Sequence, residues 1–227
     1  WMSEGMTPGT IKNRMNCLRW WAAKVDRRNV VARANDFYGI PDRQFVSNTS
    51  KATAVKETQL EEIKDDYVRM SLELQRVFGL RREEAIKFIP RFADQGDHIV
   101  LKASWTKGGK ERVIPLLTTS QRDMLDRAHR LAGAGALIPS DKQYIQQLRV
   151  YERHTTQAGL SRLHGLRHAY AQQRYLDLTG WLSPAAGGPT AAQLSPQQKQ
   201  QDRAARLTIS QELGHVREQI SAVYLGR

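Results

Sequence analysis

The chain has 227 residues, enough for one large domain or two modest ones, and its 40% hydrophobic and 26% charged content is ordinary for a globular protein with a packed core. Thirty-five Lys and Arg against 23 Asp and Glu leave a formal charge of +12. No apolar run approaches the ~18 residues of a membrane span, and the single cysteine, Cys17, excludes an internal disulfide and a cysteine-held zinc.

The charge is unevenly placed. Residues 1–56 hold ten basic and four acidic side chains, a net +6, and the remaining 171 residues carry the other +6. Such a basic segment suits a polyanion, because each neutralised phosphate releases condensed counterions; the alternative is a solvated cationic surface. The chain opens Trp1-Met2-Ser3-Glu4, without the basic start and apolar stretch of a signal peptide. Opening on Trp suggests a piece lacking its native N-terminus.

In chain order, Thr10 to Val25 reads as a helix. Ile11, Met15, Leu18, Trp21 and Val25 recur at three- and four-residue steps, and Thr10 offers an N-cap after Pro8-Gly9. A shorter helix is expected over Val30 to Phe37. Gly39-Ile40-Pro41-Asp42 and the polar Ser47 to Ser50 read as a linker, with a boundary near 45–56 that divides the chain into 1–50 and 51–227. Helical patterning resumes at 58–64, 66–78 and 82–88. Between Asp97 and Leu117 the period changes to two: Ile99 to Leu101 and Val113-Ile114 flank a turn containing Gly108-Gly109, which predicts an antiparallel hairpin. Helices are expected again at 119–132, 142–158, 164–177 and 196–213, with a last short one around Tyr224. The Pro-, Gly- and Gln-rich stretch at about 180–200 reads as a surface insertion, mobile at least in part. The expected class is mainly α with a small antiparallel sheet.

Four local patterns reach beyond composition: Gly79-Leu80-Arg81-Arg82-Glu83-Glu84; Thr106-Lys107-Gly108-Gly109-Lys110-Glu111-Arg112-Val113-Ile114-Pro115; His164-Gly165-Leu166-Arg167-His168; and Leu213-Gly214-His215, with Tyr224 nine residues further on. Alone, each is ordinary turn or surface chemistry. In this order they resemble the tyrosine recombinases, the phage-integrase-like enzymes, over residues 58–227. The first segment resembles the end of that family's helical core-binding domain.

The resemblance implies a fold and a mechanism. Residues 51–227 would be the catalytic integrase domain, and 1–50 part of the core-binding domain plus linker. Arg81, Lys107, His164, Arg167 and His215 would surround one DNA phosphate, and Tyr224 would attack it, giving a 3′-phosphotyrosyl link without metal, cofactor or ATP. Arg suits the phosphate, since its planar fork contacts two non-bridging oxygens and stays protonated. Lys107 would protonate the leaving 5′-oxygen, and Glu84 would orient Arg81. Arg82 and Lys110 compete with Arg81 and Lys107; the Gly-Leu-Arg phase and the position before the turn glycine favour the latter pair. Tyr170 and Tyr175 follow the His-x-x-Arg helix too closely to be the nucleophile. Lys12, Arg14, Arg19, Arg82, Lys110 and Arg112 are the expected DNA contacts. The resemblance also implies a C-shaped clamp on duplex DNA, a homotetramer at synapsis, a possible accessory directionality factor, and a prokaryotic, nucleoid-associated cytoplasmic setting.

Two departures stand out. The 51-residue interval from His164 to His215 is long for the family, with the excess in the insertion, and the chain stops three residues past Tyr224, where the family usually continues into an assembly element. Nine residues of unbroken helix would also set His215 and Tyr224 about half a turn apart, so a break is required between them. The competing classes are a non-catalytic DNA-binding protein, a type IB topoisomerase-like strand transferase, and a metal-dependent nuclease using Glu61-Glu62, Asp65-Asp66 or Glu83-Glu84. These acidic pairs read more simply as solvated helix charges.

Overall fold

The computed structural model describes residues 1–215 and 217–227, and of Glu218 the backbone alone. The chain forms two compact units, Trp1–Phe45 and Val46–Arg227.

In the first unit, α1 (Pro8–Lys24) is capped by Thr7, whose hydroxyl accepts from the Thr10 amide. Thr10, the expected cap, lies inside the helix. Proline lacks the amide that a first helical turn would leave unpaired, so Pro8 belongs in the helix and the cap moves ahead of it. Ile11, Met15 and Ala22 are buried, and the first two form a small core with Ile40, whereas Leu18, Trp20, Trp21 and Val25 stay exposed. The helix expected over 30–37 does not form; two single 3-10 turns, Arg28–Val30 and Asp36–Tyr38, take its place, the second ending on Gly39. With the Tyr38 hydroxyl accepting from the Ala32 amide, that stretch is folded by tertiary contact.

The second unit is helical apart from one hairpin. It comprises α2 (Glu57–Glu62), α3 (Asp66–Phe78), α4 (Arg82–Ile86), α5 (Pro90–Ala93), β1 (His98–Leu101), β2 (Arg112–Pro115), α6 (Thr119–Ala132), α7 (Tyr144–Gln157), α8 (Gly165–Thr179), α9 (Pro196–Glu212) and α10 (Ala222–Leu225). The expected class, mainly α with a small antiparallel sheet, is the observed one. Helix α3 is the central element. Asp65 caps it by accepting from Val68, and its side chains serve two cores. Met70, Leu74 and Phe78, at four-residue steps, face the larger core with β1, β2, α6 and α8, while Val68 and Leu72 face the smaller one with Ile86, Tyr151 and Leu166. A helix buried on both faces fixes its C-terminal end, which opens onto the site.

β1 and β2 pair in antiparallel register, with Ile99 opposite Ile114 and Leu101 opposite Arg112. The Thr106 hydroxyl lies 2.6 Å from the Lys110 carbonyl oxygen and accepts from the Lys110 amide at 3.1 Å, closing the turn that carries Lys107. The stretch 180–200 is not wholly a surface loop: Ser183, Ala185 and Leu194 are buried, and Leu194 lies just ahead of the Ser195 cap of α9. Among the described residues no helix is long and apolar enough to cross a membrane.

Candidate active site

The site begins where α3 ends. Gly79 takes a left-handed conformation at φ +60, and a Cβ there would stand 2.6 Å from the Tyr170 ring, so backbone freedom and space both demand glycine. Its carbonyl accepts from Arg167 Nη1 at 2.6 Å. Arg81 follows at the start of α4. The Glu84 carboxylate folds back on it, accepting from the Arg81 amide at 2.6 Å with one oxygen and from its Nη1 at 2.7 Å with the other.

Glu84 is fully buried, unlike the solvated charge that the Glu83-Glu84 pair suggested, and its partner besides Arg81 is Arg112, at 2.6 Å. Arg112 was expected on the DNA-facing surface. It instead points inward from β2, 5% exposed, because it shares the strand face of buried Ile114 while Val113 between them faces out. Its Nη1 donates to the Leu213 carbonyl at 3.0 Å.

His164 sits at the N-cap of α8, exposed, and Arg167 lies one turn on, almost wholly buried. The Arg167 fork donates to the carbonyls of Gly79 and Leu213 and, through Nε at 3.3 Å, to the Tyr224 hydroxyl. No carboxylate takes part in these three contacts.

The chain breaks between His215 and Tyr224 as their spacing requires. α9 ends at Glu212, Gly214 turns the chain at φ +68, and a 3-10 turn, Glu218–Ser221, leads into α10. His215 Nε2 thereby lies 3.4 Å from the Tyr224 hydroxyl. The Tyr224 ring is buried beside His168, 4.7 Å between centroids, and its carbonyl accepts from Gln172. The other two tyrosines of the α8 region are otherwise engaged: Tyr170 donates to Glu212 at 2.8 Å and Tyr175 to Asp202 at 2.6 Å. Burial followed by the Glu212 charge pushes the Tyr170 hydroxyl well above the usual phenol range, and burial and Asp202 push Tyr175 up to about 12.

Lys107 is exposed on the hairpin turn. Together with Lys110, His215 and Arg217 it lines a cleft of about 470 Å³. A second cleft, of about 380 Å³, is lined by Arg81, Arg82, Arg162 and His164. The remaining basic side chains divide. Arg82 is half exposed and pairs with Glu152; Arg14 lies over the Trp1 ring; Lys12 pairs with Asp42 at 2.7 Å. Arg19 departs from the expected DNA contact: its Nε donates to the Ala32 carbonyl and its Nη2 is buried.

The electrostatics follow from burial among cations. Burial lowers the His215 pKa to about 4, with Arg167 and Arg81 adding to the effect, and burial then His164 lower His168 to about 4. His164 is lowered in the same way, by desolvation and then by Arg167 and Arg81. All three rings are neutral at pH 7. Burial raises the Glu84 carboxyl, but Arg112, Arg167 and Arg81 outweigh it and hold the group ionised, below the usual carboxylate range. Burial draws Arg112 down to about 10, which leaves it protonated at pH 7, and burial also lowers Arg167.

A histidine held near 4 contributes its full stability above its unfolded value of 6.5. Below pH 6.5 the unfolded chain takes up protons that the folded one refuses, so stability falls until about pH 4. Urea unfolding is expected to show this as a loss of up to ~1.4 kcal/mol per pH unit for the buried His168, and less for the partly exposed His215. His168→Gln should remove its share of the slope; an unchanged slope would place the proton-linked groups elsewhere.

Sequence reasoning misplaced Arg112, which strand alternation with Ile114 could have turned inward; it read His168 as structural or a phosphate neighbour without its ring contact to Tyr224; and it missed the Gly79 and Leu213 carbonyls, for which side-chain patterns hold no signal. Among the described residues no three His, Cys, Asp or Glu side chains gather as metal ligands.

The family model described as Integrase matches residues 43–173, which hold Arg81, Lys107, His164 and Arg167 and stop short of His215 and Tyr224. The crystal structure of the XerH site-specific recombinase bound to difH substrate, a pre-cleavage complex, is similar at a TM-score of 0.54 and 19% identity, over 98% of this chain and 63% of that one. The Tn1549 transposon integrase (residues 82–397) in complex with circular intermediate DNA gives 0.52 and 13%, over 100% and 77%. The chain thus spans just under two thirds of XerH, and at these identities the likeness establishes the fold. No curated protein matches the sequence.

Proposed function

Because this chain belongs to the integrase family, the tyrosine recombinases, we propose that it is a site-specific DNA recombinase that cuts and rejoins duplex DNA through a covalent link to Tyr224. The observation that carries this is the Tyr224 hydroxyl, in contact with Arg167 Nε at 3.3 Å and His215 Nε2 at 3.4 Å.

The chemistry follows from the residues. The Tyr224 oxygen attacks phosphorus, a bond to the 3′-phosphate forms, and the bond to the 5′-oxygen breaks. His215, a neutral imidazole 3.4 Å from the hydroxyl, supplies an acceptor for its proton, and His164, whose ring centre lies 6.1 Å from that of Tyr224, supplies a donor to a phosphate oxygen. Arg81 and Arg167 hold the non-bridging oxygens, where charge grows in the pentacoordinate transition state. Lys107, on the exposed turn beside His215, delivers a proton to the leaving 5′-oxygen. The phosphotyrosyl ester keeps the energy of the broken bond, so rejoining needs no ATP. The partner is double-stranded DNA; four copies bring two sites together, and an accessory protein sets direction.

Incubation with a pool of nicked duplexes of randomised sequence, in which cleavage next to the nick releases a short fragment, tests this directly. A DNA adduct that survives denaturing gels, forms in EDTA, and maps to the peptide containing Tyr224 is expected. Non-covalent binding alone would favour the non-catalytic class, an adduct on another residue would move the nucleophile, and strand breaks abolished by EDTA would point to a nuclease.

A further inference from the structure

Arg112 lies outside the six side chains assigned to the chemistry, yet its guanidinium joins the two arginines that are among them. One arm donates to Glu84 Oε2 at 2.6 Å, and the other oxygen of that carboxylate accepts from Arg81. The second arm donates to the Leu213 carbonyl, the same oxygen that accepts from Arg167 Nη2. We propose that Arg112 is a positioning residue for strand cleavage, coupling Arg81 to Arg167 through Glu84 and the Leu213 carbonyl so that both forks meet one phosphate. This rests on the recombinase reading above.

Two further observations point the same way. The Leu213-Gly214-His215 turn is shaped around Arg112: Gly214 holds φ +68, and a Cβ on it would stand 3.0 Å from Arg112 Cδ. Any displacement of Arg112 therefore reaches His215 through the adjoining residue. Arg112 is also the first residue of β2, five positions after Lys107, so the foot of the hairpin that carries Lys107 is fixed to the arginine pair. A lysine cannot replace it. A single ammonium on a flexible stem lacks the planar fork that reaches a carboxylate in one direction and a carbonyl in another.

The test compares Arg112→Lys with the unmodified chain on a nicked duplex selected by wild-type trapping, read as rate of adduct formation and as duplex affinity. The same duplex with a methylphosphonate at the scissile position is the second substrate. It lacks one charged non-bridging oxygen and depends less on the arginine pair. The expected result is a cleavage rate lower by about 10- to 100-fold on the phosphodiester, a smaller loss on the methylphosphonate, and unchanged affinity. Glu84→Gln should show the same selective loss, and the double variant should be no worse than the poorer single one. Wild-type rates in Arg112→Lys, or equal losses on both substrates, would overturn the proposal and leave Arg112 a support of the fold. If Arg112→Lys does not fold, the two-substrate comparison on Glu84→Gln decides in the same terms. If the unmodified chain forms no adduct at all, the recombinase reading itself fails, a result distinct from any failure confined to the variants.

Discussion

Tyr224→Phe is expected to abolish the covalent adduct while leaving the protein folded and bound to DNA. The substitution removes one oxygen and keeps the ring that packs beside His168, in a core shared with Tyr170 and Leu225. What is lost in stability is two long hydrogen bonds, at 3.3 and 3.4 Å, worth together on the order of 1 kcal/mol. What is lost in chemistry is the nucleophile, an effect on the order of 10⁶-fold by comparison with other covalent enzymes. Melting temperature, duplex affinity and adduct yield, measured on one preparation, separate these terms. A persistent adduct in Tyr224→Phe would move the reaction to another residue. Tyr170 and Tyr175 are poor substitutes, since each already donates to a carboxylate that would have to be displaced first.

Arg167→Lys is expected to reduce both stability and cleavage, by separable amounts. The arginine fork is divided among the Gly79 carbonyl, the Leu213 carbonyl and the Tyr224 hydroxyl. A lysine ammonium cannot reach three acceptors set around a plane, so at least one of them loses this donor; the Leu213 carbonyl keeps Arg112, and loss at the Gly79 carbonyl costs about 1–3 kcal/mol in urea unfolding. Loss of one positioned donor to the transition state costs a further ~3–4 kcal/mol of barrier, about 10²–10³ in cleavage rate. Single-turnover adduct formation at saturating protein, at a temperature where the variant is fully folded, reads the second effect without the first. A variant that cleaves at the wild-type rate would show that Arg167 is a scaffold for the Leu213 turn and not part of the clamp.

Much of the fold was legible because its local signals agree. Asp65 before Val68, the four-step series Met70, Leu74, Phe78, and Gly79 after it mark α3 at both ends and along its buried face. The hairpin was legible from a change of period around two glycines. The first unit was less so. Its helix carries apolar side chains around most of its surface, and periodicity alone does not tell which are buried; Ile11 and Met15 are, Trp20 and Trp21 are not. The helix expected at 30–37 failed because that segment is held by side-chain to backbone contacts from elsewhere in its unit, such as Arg19 to the Ala32 carbonyl.

The candidate site was legible as a set of residue types at fixed spacing, and illegible as a network. Spacing indicates that His215 and Tyr224 need a bend between them. It does not indicate that the Leu213 carbonyl is shared by two arginines, because a carbonyl belongs to every residue and is selected by folding alone. Arg112 was misread for a related reason: a basic residue near a basic turn resembles a DNA contact until the strand's inward face is known.

The arrangement of Arg81, Arg112, Arg167 and Glu84 carries one more consequence. With the histidines neutral, and setting aside Lys107 on its exposed turn, the three guanidinium ions against one carboxylate give this cluster a surplus of two positive charges. A resting phosphodiester is a monoanion and balances half of that surplus. The five-coordinate phosphorane is close to a dianion and balances all of it. A cavity so mismatched to its ground state and matched to its fleeting one places its electrical bias on the barrier itself, where it accelerates the reaction without holding the substrate more tightly.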